Sequence, residues 1–197
     1  SVTATEFIGN GSQLTNLPTG GDSPFSPNDT DSSGIQSATN TASGTYSTAM
    51  GKNTTASGNY STAMGFDTTA SGTDSTAMGG NTEALGTYST AMGDNTTASG
   101  TTSTAMGGNT TATGTYSTAM GYNTTASGYS STAMGYGTTA SDFGSTVIGL
   151  FNNSLSSITS GGSATSFNPA NTAFVIGNGT GADCLLYTSP SPRDIGP

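Results

Sequence analysis

The chain has 197 residues, enough for one ordinary domain, but only 7% of them are charged and 30 are glycine. A typical globular domain has about 25% charged residues, so this composition indicates an ordered repeat in which backbone ladders and small side chains replace a bulky core. With eleven Asp and Glu against two Lys and Arg, the chain lacks the basic surface that nucleic acids and anionic membranes require, and we expect neither as a partner.

The first 38 residues divide into two segments. Residues 1–20 include Phe7-Ile8-Gly9-Asn10-Gly11-Ser12-Gln13-Leu14-Thr15-Asn16-Leu17, which resembles a short motif of tail-fibre-like proteins, and we interpret them as a leader motif. Residues 21–38 are rich in Gly, Ser, Pro and Asp, a composition typical of a linker. Because the chain has neither an initiator Met nor a signal peptide, we expect it to be a fragment of a longer protein.

Residues 39–149 consist of a 14-residue repeat. The segment Ser-Thr-Ala-Met-Gly recurs in fixed phase, and all seven Met residues of the chain occupy its fourth position. An eighth copy, Ser145-Thr146-Val147-Ile148-Gly149, keeps the phase, and Thr-Thr-Ala-Ser-Gly or a close variant lies between successive copies. The seven Met-containing copies begin at Ser47, Ser61, Ser75, Ser89, Ser103, Ser117 and Ser131.

Each repeat holds two five-residue segments that end in Gly, which predicts two short strands and two corners. We expect Gly51, Gly58 and their equivalents to form the corners, where a positive φ favours glycine. Such coils stack in parallel at about 4.8 Å, so eight rungs predict an all-β parallel β-roll, or β-solenoid, about 40 Å long. Gly twice per repeat and many Thr residues oppose a helix.

Substitutions within the repeat indicate which side chains face the interior. Glu83 and Leu85 replace the usual Thr and Ser of the second segment, and residues two apart share one face of a strand. Because a charge on that face indicates solvent, Thr54 and Ala56 are predicted to point inward and the intervening Thr55 outward.

The first segment carries no charge on either face in any of its copies. In the last copy Val147 and Ile148 make both faces apolar, a pattern typical of a strand buried on both sides. One side can face the interior of the roll, and the other requires a partner. The sequence therefore predicts an oligomer.

The corner positions vary most, and they hold the charges and most of the Tyr residues. One variable pair follows Met-Gly, as in Lys52-Asn53, and another precedes Ser-Thr-Ala-Met. Exposed aromatic side chains are favoured at interfaces, although stacked rings that merely cover the edge of the roll would give the same pattern. The candidate surface-contact residues are Tyr46, Tyr60, Tyr88, Tyr116, Tyr122 and Tyr136.

Two segments follow the repeats. Residues 150–183 are predicted to be an exit segment containing one more strand. The next residues fit no repeat, and they are what the adapter of transposase-based sequencing libraries encodes when translated: Cys184-Leu185-Leu186-Tyr187-Thr188-Ser189-Pro190-Ser191-Pro192-Arg193-Asp194. We therefore interpret residues 184–197 as a sequencing-adapter scar and expect them to pack on nothing and form no rung.

The repeat over residues 39–149 resembles the YadA-like head repeats of trimeric autotransporter adhesins. Ser-Thr-Ala-Met-Gly stands where that family has Ser-Val-Ala-Ile-Gly, and similar repeats occur in phage tail fibres. Ala173-Phe174-Val175-Ile176-Gly177-Asn178-Gly179-Thr180 is similar to the segment that follows such repeats. The resemblance implies a left-handed parallel β-roll, three chains assembled side by side, and an extracellular position on a bacterial cell surface or a virion fibre.

The residue types argue against most enzymatic chemistry. The chain has no His, and its one Cys lies in the predicted scar, so His-based triads, Cys nucleophiles and His/Cys zinc sites lack their residues. We expect no enzyme activity, no cofactor and no metal. The resemblance implies instead a homotrimeric, non-enzymatic adhesin head whose corners bind a host or surface ligand, protein or glycan.

Two alternative functions stay open. An ice-binding solenoid would use an outward Thr ladder, although Glu83 and Leu85 interrupt it. A passive structural spacer of a phage tail fibre would need no ligand. No apolar run approaches the roughly 20 residues of a membrane-spanning helix, so we expect no membrane insertion. The Thr ladder consists of Thr55, Thr69, Thr97, Thr111, Thr125 and Thr139.

Overall fold

The computed structural model of the protein describes residues 26–27, 35–36, 39–152, 162–178 and 185–189. All regular structure within these ranges is β-strand, and none of it is a helix long and apolar enough to cross a membrane. The predicted leader motif, residues 1–20, lies outside the described residues, as does most of the predicted linker, residues 21–38.

The strands are short, of two or five residues each. Their bounds are β1 Ser26–Pro27, β2 Ile35–Gln36, β3 Thr41–Ala42, β4 Thr48–Lys52, β5 Thr55–Ala56, β6 Thr62–Phe66, β7 Thr69–Ala70, β8 Thr76–Gly80, β9 Glu83–Ala84, β10 Thr90–Asp94, β11 Thr97–Ala98, β12 Thr104–Gly108, β13 Thr111–Ala112, β14 Thr118–Tyr122, β15 Thr125–Ala126, β16 Thr132–Tyr136, β17 Thr139–Ala140, β18 Thr146–Leu150, β19 Phe174–Asn178 and β20 Leu185–Ser189.

These strands form two sheets that alternate along the chain. The long-strand sheet has twelve strands in the order β1-β2-β4-β6-β8-β10-β12-β14-β16-β18-β19-β20, and the short-strand sheet has eight, the odd-numbered strands from β3 to β17. All pairs within the repeat region are parallel, whereas β1–β2 and β19–β20 at the ends are antiparallel. The predicted parallel β-solenoid of about eight turns is confirmed.

The register of the solenoid follows the 14-residue period without a slip. In the pair β10–β12, Thr90 lies opposite Thr104 and Met92 opposite Met106. The same offset relates every other pair of Met-containing strands, so the seven Met residues form one column. The single Met column predicted from the sequence is therefore confirmed.

The apolar part of the solenoid interior, within the described residues, consists almost entirely of alanine. Its buried apolar residues are fifteen Ala together with Val147 and Val175. Thr54 and Ala56 are buried and Thr55 is partly exposed, which confirms the predicted faces of the short strand of each rung. In the Ser-Thr-Ala-Met segment of each rung, Ser and Ala point inward, while Thr and Met point outward and remain partly exposed.

Two columns of hydroxyl groups share this interior. None of these hydroxyls has a hydrogen-bond partner within the described chain. Burying a hydroxyl without a partner costs free energy, and Ala buries little apolar surface in return. The isolated chain therefore has a weak core. The residues concerned are Ser47, Ser61, Ser75, Ser89, Ser103, Ser117, Ser131, Thr54, Thr68, Thr82, Thr96, Thr110, Thr124 and Thr138.

The glycine columns have a role that was predicted only in part. Gly51 has a φ of 125° but lies inside a strand, and Gly58 is not at positive φ. A Cβ atom on Gly58 would lie 2.0 Å from the carbonyl oxygen of Gly72 in the next rung. The prediction is right in part: Gly58 opens the turn in which the Ser61 N–H donates to the Gly58 carbonyl at 3.2 Å, and Gly51 has the predicted positive φ. What requires glycine at Gly58 is the close approach of the next rung and not a positive φ. The corners are formed by residues such as Tyr60 and Asn53, each with φ 58°.

Asparagine caps both ends of the buried Thr column. At the first rung, the Asn40 side chain accepts a hydrogen bond from the Thr54 N–H at 3.0 Å and donates one to the Gly51 carbonyl at 3.0 Å. At the last rung, the Asn152 side chain accepts from the Thr139 N–H at 2.6 Å and donates to the Thr139 carbonyl at 2.8 Å. Each carboxamide takes the place of a peptide group of a further rung, so the terminal backbone groups are satisfied.

Asp142 ends one of the glycine columns. Its carboxylate accepts a hydrogen bond from the Thr172 N–H at 2.8 Å, and its backbone carbonyl accepts one from the Ser145 hydroxyl at 2.9 Å. The residue is 1% exposed. Asp142 thus ties the last regular rung to the segment that leads into Phe174–Asn178, the one strand described in the exit segment.

The last described strand contradicts one expectation. Leu185–Ser189 pairs antiparallel with Phe174–Asn178, so the expectation that residues 184–197 pack on nothing is wrong for this strand. The free edge of the preceding strand presents unpaired N–H and C=O groups, which any extended segment can pair with. Such pairing depends on backbone groups and not on particular side chains, so it does not test where residues 184–197 come from. Their adapter origin stays a prediction.

Candidate contact surface

Every rung has two corners in the left-handed backbone region. The Tyr corner is the column of residues 46, 60, 74, 88, 102, 116 and 130, with φ from 54° to 59°. The Asn corner is the column of residues 53, 67, 81, 95, 109 and 123, with φ from 50° to 58°. The long strand joins the two corners of a rung, so they lie about 20 Å apart at 3.3 Å per residue.

The Tyr corner presents its rings to solvent. Tyr46, Tyr60, Tyr88 and Tyr116 are between 53% and 60% exposed. The N–H of Tyr60 donates to the Thr45 carbonyl of the preceding rung at 2.8 Å, and the later rungs repeat this bond. Backbone hydrogen bonds therefore hold the column straight. The rings of Tyr46 and Tyr60 stack with their centroids 5.5 Å apart.

A larger aromatic cluster lies at the end of the Tyr corner. The ring of Tyr129 meets that of Tyr116 edge-on at 5.4 Å and stacks on Phe143 at 5.3 Å. The N–H groups of Tyr129 and Phe143 donate to the carbonyls of Ala164 and Ser163, each at 2.8 Å. The sequence analysis missed Tyr129 and Phe143, although both occupy the first place of the variable pair and could have been found there.

The remaining predicted contact residues lie beside the Asn corner. Tyr122 and Tyr136 are 49% and 42% exposed, and their rings stack at 5.2 Å. Tyr136 also meets Phe151 edge-on at 5.0 Å. The six predicted residues therefore do not form one surface: four share the Tyr corner, and two lie at the other end of the long strand.

Most charges of the repeat region are spread over its exposed positions, and the buried Asp142 is the exception. Asp67 and Asp74 occupy corners, Asp94 ends a long strand, and Glu83 points outward from the short-strand sheet. Within the described residues no three His, Cys, Asp or Glu side chains come together to hold a metal ion. The surface is acidic but holds no compact charged site in this part of the chain.

The Thr and Met columns of the long strands carry no charge, although Lys52 and Asp94 stand at the last position of their strands. Its Thr and Met side chains, Thr48 and Met50 in the first copy, are partly exposed in the single chain. The column runs through every long strand of the repeat, and Thr146 and Ile148 continue it. A continuous uncharged patch of this length is typical of an interaction surface.

The comparison with known families gives one match. A family model described as the YadA head domain repeat, in two copies, matches residues 42–68, 70–96, 98–124 and 126–152, more than half of the chain. These matches follow one another through the solenoid and include both corner columns. No curated protein matches the chain.

Proposed function

Because the chain belongs to the family of the YadA head domain repeat, we propose that it is the head of a homotrimeric, non-enzymatic surface fibre, an adhesin that displays its corner side chains on a rigid rod. The fibre stands outside a bacterial cell or on a virion, and its corners contact a host or surface ligand, protein or glycan. The single observation that supports display is the straight column of half-exposed Tyr rings.

The rod supports display because its geometry does not depend on the corner residues. Each corner residue is held by main-chain hydrogen bonds to the rungs beside it, as in the bond from the Tyr88 N–H to the Thr73 carbonyl at 2.8 Å. Aromatic and charged side chains can therefore change from rung to rung without changing the backbone. Such a division between a fixed scaffold and variable exposed positions is typical of binding proteins.

The trimer is supported by the outward Thr and Met face of the long strands. In the single chain this face leaves a column of Met side chains partly exposed, while the interior beneath it is little more than alanine. Covering the Met column with other copies of the chain would add the apolar burial that the interior lacks.

The ice-binding alternative has less support. Glu83 lies between Thr69 and Thr97 in the register of the short-strand sheet, so a charged side chain divides the outward Thr ladder. Leu85 on the same face is 41% exposed. A flat, uniform hydroxyl lattice is therefore absent from this part of the described surface.

The proposal is tested with the purified full chain. Light scattering coupled to size exclusion measures its oligomeric state, and binding is measured on surfaces coated with collagen, mucin and chitin. We expect a trimer that binds at least one coating. A folded trimer that binds none of them would favour the passive spacer, and thermal hysteresis in cooled solutions would favour ice binding.

A further inference from the structure

The tyrosines of the Tyr corner occupy a backbone conformation that disfavours them. Tyr46, Tyr60, Tyr88 and Tyr116 have φ between 56° and 59°, and bulky side chains rarely adopt this region. At the Asn corner the same conformation is adopted mostly by asparagine, the residue that tolerates it best after glycine. The chain thus uses the favourable residue at one corner and tyrosine at four of the seven positions of the other, which indicates that the ring serves an outside contact.

The spacing of these rings is fixed by the solenoid. Tyr60, Tyr88 and Tyr116 are each two rungs apart, and successive rungs of a parallel sheet lie about 4.8 Å apart, so neighbouring rings in this series lie about 9.6 Å apart. The rungs between them place Asp74 and Thr102 at the corner, and both are exposed. From Tyr60 to Tyr116, exposed rings therefore alternate with hydrogen-bonding groups along the Tyr corner, whereas Tyr46 stacks on Tyr60 in the rung before.

This alternation matches the chemistry of an extended, β-linked polysaccharide. Successive sugars of such a chain turn over, so the same C–H face recurs once per disaccharide, a length close to two rungs. C–H groups make favourable contacts with the faces of aromatic rings, and the Asp74 carboxylate and the Thr102 hydroxyl can accept hydrogen bonds from sugar hydroxyls.

We propose that the Tyr corner binds an extended β-linked polysaccharide that is uncharged or cationic, of the chitin or cellulose type. This inference rests on the proposed adhesin function and names its ligand class. The net charge of −9, together with Asp74 in the row itself, opposes a polyanionic glycan because like charges repel. A protein ligand would not require rings at equal intervals.

The test uses the full chain with chitohexaose and cellohexaose as probes and heparin as the polyanionic comparison. Titration calorimetry measures the affinity. We expect at least one neutral hexasaccharide to bind, and the triple variant Tyr60→Asn, Tyr88→Asn, Tyr116→Asn to bind it at least about tenfold more weakly, because aromatic anchors commonly dominate a binding surface. Asparagine suits the backbone at all three positions, so the fold is retained.

Two further variants test whether binding requires the rings of the Tyr corner at their two-rung spacing or only the presence of exposed aromatic rings. The triple variant Phe66→Ser, Tyr122→Ser, Tyr136→Ser removes three rings beside the Asn corner and should bind like the unaltered chain. The double variant Tyr88→Asn, Thr102→Tyr keeps the number of rings but breaks their two-rung spacing, and it should bind about tenfold more weakly.

Several outcomes overturn the inference. They are binding of neither hexasaccharide by the folded chain, equal weakening in both triple variants, unchanged affinity in the spacing variant, and tighter binding of heparin. Loss of the trimer in the Tyr60, Tyr88 and Tyr116 variant would assign the row to contacts between subunits. Adhesion to collagen or mucin without binding of polysaccharide would leave the proposed function standing and refute only the ligand class.

Discussion

Tyr88 shows how a single residue can oppose stability and favour contact. It lies at φ 58° with its ring 60% exposed, and its corner neighbours are Asp74 and Thr102, so no ring of the same column stacks directly beside it. The left-handed conformation costs an ordinary residue about 1–2 kcal/mol, and asparagine less. We predict that Tyr88→Asn raises the free energy of unfolding by about 1 kcal/mol, measured by denaturant titration.

The reverse substitution at the other corner is the control for this prediction. Asn95 has φ 53°, and its side chain donates a hydrogen bond to that of Asn109 at 2.6 Å. Asn95→Tyr should lower the free energy of unfolding by about 1 kcal/mol or more, since it adds backbone strain and removes this bond. If Tyr88→Asn is destabilising instead, the ring contributes to the fold and the argument from strain fails.

The buried serines allow a test of the hydroxyl columns. Ser131 has no hydrogen-bond partner in the described chain, whereas Ser145, one rung further in the same column, donates to the Asp142 carbonyl at 2.9 Å. We predict that Ser131→Ala leaves the free energy of unfolding unchanged or raises it. Ser145→Ala should lower it by about 1 kcal/mol, because a buried hydrogen bond is lost, although the Ser145 N–H still donates to the same carbonyl at 3.2 Å.

Thermal and denaturant unfolding of the two variants measure this difference. Equal destabilisation by both substitutions would show that the hydroxyl of Ser131 is hydrogen-bonded in solution, and bound water would be its partner. The core would then be stronger than its alanine content suggests.

At the scale of a rung, the sequence predicted the strands and their register correctly, but it did not predict the role of the recurring glycines. The 14-residue phase fixed the register, and Glu83 alone identified the outward face of the second strand. The glycines predicted the turn at Gly58 but not the reason for glycine there, because glycine also serves close backbone approach. A sequence pattern does not distinguish these two uses of glycine.

The candidate site was predictable only in part for a similar reason. The Tyr residues were recognisable as corner residues from their columns. Their division was also visible in the sequence, because Tyr122 and Tyr136 follow Met-Gly whereas the other four precede Ser-Thr-Ala-Met. The structure adds that the two positions lie at opposite ends of one strand, as at Thr48–Lys52. Tyr129 and Phe143 were missed because their role arises from contact with residues 163 and 164, far along the chain.

The end caps give a prediction at the scale of the last rung. The Asn152 side chain accepts a hydrogen bond from the Thr139 N–H and donates one to the Thr139 carbonyl, and each bond is worth about 1 kcal/mol. We predict that Asn152→Ala raises the amide exchange rate of Thr139 at least about tenfold through local opening. Exchange is measured by NMR or mass spectrometry.

The Thr111 amide in the same variant is the internal control. It donates to the Thr124 carbonyl at 2.9 Å in the middle of the solenoid, so its exchange should not change. Equal acceleration at Thr111 and Thr139 would mean that the solenoid opens as one unit and that the cap does not act locally.

At the scale of the whole molecule, the question is what stabilises a rod with so little apolar interior. Among the described residues, fifteen of the seventeen buried apolar side chains are alanine, and ordering each residue costs about 1–2 kcal/mol of backbone entropy. Hydrogen bonds between successive parallel strands satisfy the backbone N–H and C=O groups, but they do not supply the missing burial of apolar surface. The partly exposed Met column is a continuous apolar surface that assembly could bury.

We therefore predict that charge on this column separates the subunits. Met92→Glu with Met106→Glu should raise the dissociation constant of the proposed trimer about a hundredfold or more, because an unpaired charge buried between subunits costs several kcal/mol. Thr97→Glu with Thr111→Glu is the matched control, since Glu83 already occupies that outward face, and it should remain trimeric. Light scattering coupled to size exclusion measures both. A folded monomer for the unaltered chain, or the same oligomeric state for both double variants, would contradict the assignment of the Met column to the subunit interface.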